Sequence, residues 1–136
     1  MTTTGVIRHS NVKATDYDAF ALEAVEGDPN GKVHWLKASA EGEPMLYAGF
    51  FTAEPGTFTY TFGGNETFHV LDGRVFIKLE NGDQLEMAPG DVASFPKGHR
   101  STWTIKSPFK KFFVISYYGH RWVASPWIFP GSFAGR

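Results

Sequence analysis

The chain has no cysteine, no apolar run long enough to cross a membrane and almost no net charge. The first absence excludes a disulfide framework, thiolate-held zinc and a cysteine nucleophile. The second argues against a spanning helix. The third, 13 Lys and Arg against 14 Asp and Glu for a formal charge of −1, leaves no field to draw nucleic acid or an anionic membrane. A Gly-x-Ser-x-Gly elbow and a phosphate-cradling glycine loop are also missing, so an elbow serine nucleophile and nucleotide binding lack support. The opening residues, Met1-Thr2-Thr3-Thr4-Gly5, show neither the basic nor the apolar region of a signal peptide, and the cytoplasm is the expected compartment. A small molecule and a second copy of the chain remain as expected partners.

At 136 residues the chain is long enough for one domain with a real core. Residues 1–15 show no period. Asp16 to Glu26 predicts a short helix, capped by Thr15 or Asp16 and facing Phe20, Leu22 and Ala24 inward, which Gly27-Asp28-Pro29-Asn30-Gly31 ends. From there the grammar is that of strands, expected near 32–38, 45–52, 57–62, 66–71, 75–79, 84–87, 92–95, 100–105 and 112–118. Turn clusters such as Asp72-Gly73, Asn81-Gly82, Pro89-Gly90 and Pro96-Lys97-Gly98 separate them. That pattern predicts an all-β antiparallel sandwich or barrel. The expected organisation is a single domain, with an arm and helix over 1–30, a barrel over 31–118 and a tail over 119–136. The tail carries Trp122, Trp127 and Phe129. Left in water it would form a large apolar patch, so it is expected to fold back on the barrel or cross to a second subunit, and a homodimer is the expectation.

The chemistry concentrates in Glu66-Thr67-Phe68-His69-Val70-Leu71-Asp72-Gly73. Alternation puts Glu66, Phe68 and Val70 on one side and Thr67, His69 and Leu71 on the other. A carboxylate between Phe and Val on a core-facing strand costs free energy unless it is paired, liganded or neutral. By the same parity Tyr60, Phe62, Phe68 and Trp103 face the interior.

The stretch from Glu54-Pro55-Gly56 to Trp103-Thr104-Ile105 resembles the cupin superfamily, and more narrowly the group holding the (S)-ureidoglycine aminohydrolase and ethanolamine-utilisation cupins. Glu66 and Gly73 match the end of the first cupin motif, and Gly90, Pro96 and Gly98 match the second. The resemblance implies a double-stranded β-helix, a jelly-roll barrel with its ligand site inside the mouth. It also implies two His before the Glu and one after the Pro-x-Gly for a divalent metal. Those positions fall at Tyr60, Phe62 and Ser101, so no metal or other cofactor is expected. A weak ion held by Glu66 and His99 is the alternative.

Glu66 is accordingly the expected general acid or base, with its pKa raised by an apolar barrel, against the plainer reading of a relict carboxylate bonded to Tyr60. His99, two residues before Ser101, is expected to face Glu66 and share its proton if the strand parity reaches that far. Tyr60 is the third catalytic candidate. Phe62, Phe68, Ser101 and Trp103 are the expected ligand-contacting residues, although plain packing explains Phe62 and Phe68 equally well. His69 is expected on the opposite face, and His9, His34 and His120 in solvent or at an interface. Lys78, Lys110 and Lys111 are expected as outer-face or loop charges. Arg100 should point away from the cavity, free to pair with an acid such as Asp72 across a subunit contact. The function these residues suggest is metal-independent lyase, isomerase or hydrolase chemistry on a small polar or aromatic metabolite. A non-catalytic ligand-binding or sensing module and a metal-dependent enzyme with an altered ligand set are the alternatives.

Overall fold

A computed structural model of the chain describes residues 2–4 and 6–117. Its strands are β1 (Thr2–Thr4), β2 (Ile7–His9), β3 (Asp18–Ala19), β4 (Glu23–Gly27), β5 (Lys32–Ala38), β6 (Met45–Ala53) and β7 (Gly56–Thr61), followed by β8 (Asn65–Asp72), β9 (Val75–Leu79), β10 (Gln84–Met87), β11 (Val92–Phe95), β12 (Arg100–Ile105) and β13 (Phe109–Tyr117). Two antiparallel sheets, ordered β10-β9-β12-β7-β4 and β11-β8-β13-β6-β5-β3, enclose a common core. β1 and β2 form a separate hairpin. This is a jelly-roll barrel.

Period-2 sequences make the core. In β8, Glu66, Phe68 and Val70 are buried while Asn65, Thr67 and His69 are exposed. In β9, Val75, Ile77 and Leu79 are buried and Lys78 is exposed. Each phenyl ring so buried contributes roughly 1.5–3 kcal/mol. Trp103 on β12 joins the sheets, since its ring lies 5.6 Å from Phe58 of its own sheet and 5.4 Å from Phe68 of the other.

Two glycines bring the motifs together. Gly73 has φ +78°, and a Cβ there would come within 2.2 Å of the Pro108 carbonyl oxygen, so only glycine permits the β8–β9 turn to close beside the start of β13. Gly98 has φ +98°. Its N–H donates to the Phe62 carbonyl at 2.8 Å, and the Phe62 N–H donates to the His99 carbonyl at 3.0 Å. The end of β7 is thereby tied to the turn that precedes β12.

The expected helix over 16–26 does not form. Both sheets have an open edge there, and the segment completes both: β3 pairs with β5, and β4 pairs with β7. An isolated helix of eleven residues is marginal in water, whereas strand pairing satisfies the same backbone groups. Phe20 and Leu22 fit a two-residue period as well as a helical one, and both reach the barrel mouth.

His34 is a second correction. It is 1% exposed rather than at the surface, because the N-terminal arm covers the outer face of β5. Its Nε2 lies 2.7 Å from Ser10 Oγ and its Nδ1 3.0 Å from the Asp16 carbonyl oxygen. Residues 118–136, with His120 and the expected role of the aromatic tail, lie outside the described residues.

Candidate functional site

Glu66 and Tyr60 meet as the alternation predicted. Glu66 is 1% exposed, and the Tyr60 hydroxyl donates to its Oε1 at 3.2 Å. Burial, with the adjacent carboxylate second, raises the Tyr60 pKa well above its ordinary value and keeps the phenol a proton donor.

The partner of the other carboxylate oxygen is the residue sequence reasoning missed. Lys111 Nζ donates to Glu66 Oε2 at 2.5 Å, with Lys111 6% exposed. The expectation of an outer-face charge fails because β13 begins at Phe109 and not near 112. Phe109, Lys111 and Phe113 are then one buried face, and the lysine follows its neighbours inward. The signal was present in FKKFF: two residues on either side of Lys111 stands a phenylalanine. Lys111 opposes Val70 and Glu66 opposes Ile115, so the two side chains lean along the strands to meet over the Phe68–Phe113 rung.

Aromatic faces surround the ammonium. Nζ lies 4.4 Å from the Phe68 ring centroid, 4.5 Å from Trp103, 5.1 Å from Phe51 and 5.6 Å from Phe113. These faces favour a cation. Desolvation works against it, and burial lowers the Lys111 pKa despite the opposing pull of Glu66.

The cluster lines an open-mouthed cavity of about 50 Å³, room for a few waters or a ligand of a handful of heavy atoms. Phe20, Leu22 and Trp35 border it with Phe51, Phe58 and Trp103, and among the described residues its only ionisable side chains besides Tyr60 are Glu66 and Lys111.

The remaining sequence candidates divide. Trp103 lines the cavity. Phe68 lies beneath the ammonium, while Phe62 stacks on Phe95 at 4.8 Å as core. Ser101 is fully engaged: its Oγ donates to the Tyr60 carbonyl at 2.6 Å and accepts from Trp103 Nε1 at 2.9 Å. His99 does not join Glu66. It lines a separate depression of about 250 Å³ bordered by Leu79, Leu85 and Phe95, between the edge strands β10 and β11. β12 starts at Arg100, so its alternation does not govern the turn residue before it. His69 is exposed, as parity requires. Arg100 also points outward, but its partner is Glu23 of the same chain at 2.7 Å rather than Asp72.

The donors at the cavity floor do not fit a divalent metal. Glu66 stands with a phenol, a phenyl ring and an occupied hydroxyl, and the Lys111 ammonium already holds the flank of the carboxylate that an ion would need. Among the described residues no three His, Cys, Asp or Glu come together in a group able to hold one.

A jelly-roll barrel with its polar cluster inside the mouth defines a cupin, and comparison narrows the class. The chain belongs to the EutQ-like cupin domain family, whose model matches residues 40–113. Among solved structures, the Clostridium difficile EutQ protein aligns at 20% identity and TM-score 0.56, over 65% of this chain and 68% of that one. A cupin superfamily protein of Desulfitobacterium hafniense aligns at 19% and 0.51, over 69% and 84%. The cupin domain of Schizosaccharomyces pombe Cnp3 aligns at 12% and 0.62, over 81% and 74%. At these identities the structures establish the fold. No curated protein matches the chain.

Proposed function

We propose that the barrel mouth binds a small, net-neutral metabolite with an apolar or aromatic body and one polar group. Glu66, Lys111 and Tyr60 then move a proton on that group without a metal, in lyase, isomerase or hydrolase fashion. The observation that carries this is a buried carboxylate–ammonium pair set in the wall of an open apolar cavity. Such a pair is a poor device for stability, because the desolvation of both charges offsets their attraction. Beside a cavity it supplies a proton donor and a proton acceptor within reach of one ligand atom.

The charge balance supports the ligand class. Glu66 and Lys111 cancel each other, so an ionic ligand would be desolvated without a counter-charge. A carbonyl or hydroxyl group can accept from Lys111 or Tyr60 at no such cost. The likeness of the second motif to ureidoglycine aminohydrolase adds hydrolysis of a small nitrogenous compound to the reactions worth assaying.

In this reading the three cupin histidines are replaced by Tyr60, Phe62 and Ser101, and His99 has no part in the chemistry. Residues 1–136 act as one cytoplasmic domain that pairs with a second copy. Pairing is supported by Val6, Ile7 and Val12, which the N-terminal arm leaves exposed. A solution mass near 15.1 kDa at micromolar concentration would contradict it.

The test is a chemical-shift titration with acetone and, separately, the acetate anion, both small enough for the cavity. The ketone is expected to shift the resonances of Tyr60, Glu66, Trp103 and Lys111, and the anion to leave them in place. Preference for the anion, or shifts confined to the His99 depression, overturns the assignment. Once a substrate is found, Glu66→Gln should abolish turnover; a variant that changes only affinity indicates a binding module.

A further inference from the structure

We propose that Lys111 is a nucleophile that forms an imine with a small aldehyde or ketone in the cavity. The inference rests on the reading above and makes its ligand a carbonyl compound.

Three features of the geometry argue for it. Among the described residues Lys111 is the only amine lining the cavity. A proton acceptor is already in place, with Glu66 Oε2 at 2.5 Å. The four aromatic rings around Nζ suit a cation at that nitrogen, and an iminium carries the same charge at the same atom. An arginine would pair with Glu66 as well or better but cannot shed its proton, whereas a buried lysine can. Burial lowers the Lys111 pKa, which raises the fraction of reactive amine.

The step balances within the pair. Lys111 passes a proton to Glu66, and in an apolar cavity the neutral amine and acid are favoured relative to water. The amine lone pair attacks the carbonyl carbon, a C–N bond forms, and the carbonyl π pair moves to oxygen. The carbinolamine oxygen takes up the proton Glu66 received and the second amine proton, and leaves as water when the C–O bond breaks. One ammonium and one carbonyl become one iminium and one water, and Glu66 is again a carboxylate beside a cation. The iminium acidifies the adjacent C–H bond, which gives Glu66 a proton to remove in an isomerase or lyase reaction.

The experiment uses the full chain, propanal as the carbonyl and cyanoborohydride as the trap, with adducts read by intact mass and assigned by peptide mapping. Lys97 and Lys106, both exposed, serve as internal references. Lys111 is expected to gain one propyl group several-fold faster than either, because its nitrogen has the proton acceptor Glu66 Oε2 beside it in the cavity wall and the references do not. Glu66→Gln, which removes the acid for water departure, should slow the gain at Lys111 and not at the references. Propylation that follows exposure and spares Lys111 overturns the proposal. If acetone still shifts the Glu66 and Trp103 resonances, the imine alone fails and the binding site stands; if neither probe reaches the cavity, both readings fall.

Discussion

The six-stranded sheet buries ionisable side chains on both of its faces, His34 on the outer and Glu66 with Lys111 on the inner, and the two faces treat them in opposite ways. On the outer face His34 is held by Ser10 at 2.7 Å and by the Asp16 backbone at 3.0 Å, with the Phe50 ring stacked 6.0 Å away. Both ring nitrogens have partners from the N-terminal arm, and none of the cavity-lining residues is His34. On the inner face Lys111 gives one N–H to Glu66 and otherwise meets aromatic faces and the cavity. Burial alone therefore does not mark a site. A buried polar group with its bonding completed by the fold is a fastening, and one that keeps bonding capacity beside open space is available to a ligand.

The sharpest way to break this contrast is to remove one member of the inner pair. Lys111→Met leaves the Glu66 carboxylate buried without its counter-charge and should lower stability by about 3–5 kcal/mol at neutral pH, read from urea denaturation.

Next comes the alkaline limb. Lys111 has a lowered pKa in the fold, so between that value and the ordinary 10.5 the unfolded chain holds the extra proton and stability rises with pH. Tyr60 has a raised pKa, so above the ordinary 10.0 the unfolded chain has shed a proton that the fold retains, and stability falls. Wild-type stability should thus pass through a local maximum on the alkaline side. Lys111→Met should erase the rise and Tyr60→Phe the fall, both measured as urea midpoint against pH.

On the outer face, Ser10→Ala should cost only about 1 kcal/mol. It should speed amide exchange in the arm and leave the acetone shifts untouched. Loss of ligand binding in that variant would erase the distinction between the faces. The smallest effect is expected at the rim. Arg100→Ala removes an exposed partner of Glu23, whose pKa is lowered first by the Thr59 hydroxyl and then by Arg100. It should raise that pKa with little change in the unfolding midpoint.

Much of this was legible in the residues. The turn clusters place most of the barrel strands within a residue or so, because glycine and proline punctuate where the backbone requires them. Alternation alone sends Glu66 inward and His69 outward. What failed were the places where a side chain's ordinary habit outweighed its position. Two adjacent lysines read as solvent-facing, which puts the expected start of the last strand near 112 rather than at Phe109 and hides the partner of Glu66. His34 read as exposed because the covering arm has no periodicity to announce it. The 16–26 segment read as helix because nothing local shows that two sheet edges stand open beside it. Each miss is a tertiary contact overriding a local preference.

If the Glu66–Lys111 pair serves a ligand and not the fold, it is dispensable to stability and required for binding. The most direct test is the double variant Glu66→Leu/Lys111→Met, compared with wild type in urea unfolding and in the acetone titration. The account predicts stability equal to or above wild type, as when buried ion pairs give way to apolar residues of similar volume, together with loss of the ligand response. A double variant that loses several kcal/mol while still binding the ketone would show the pair to be structural and contradict the account.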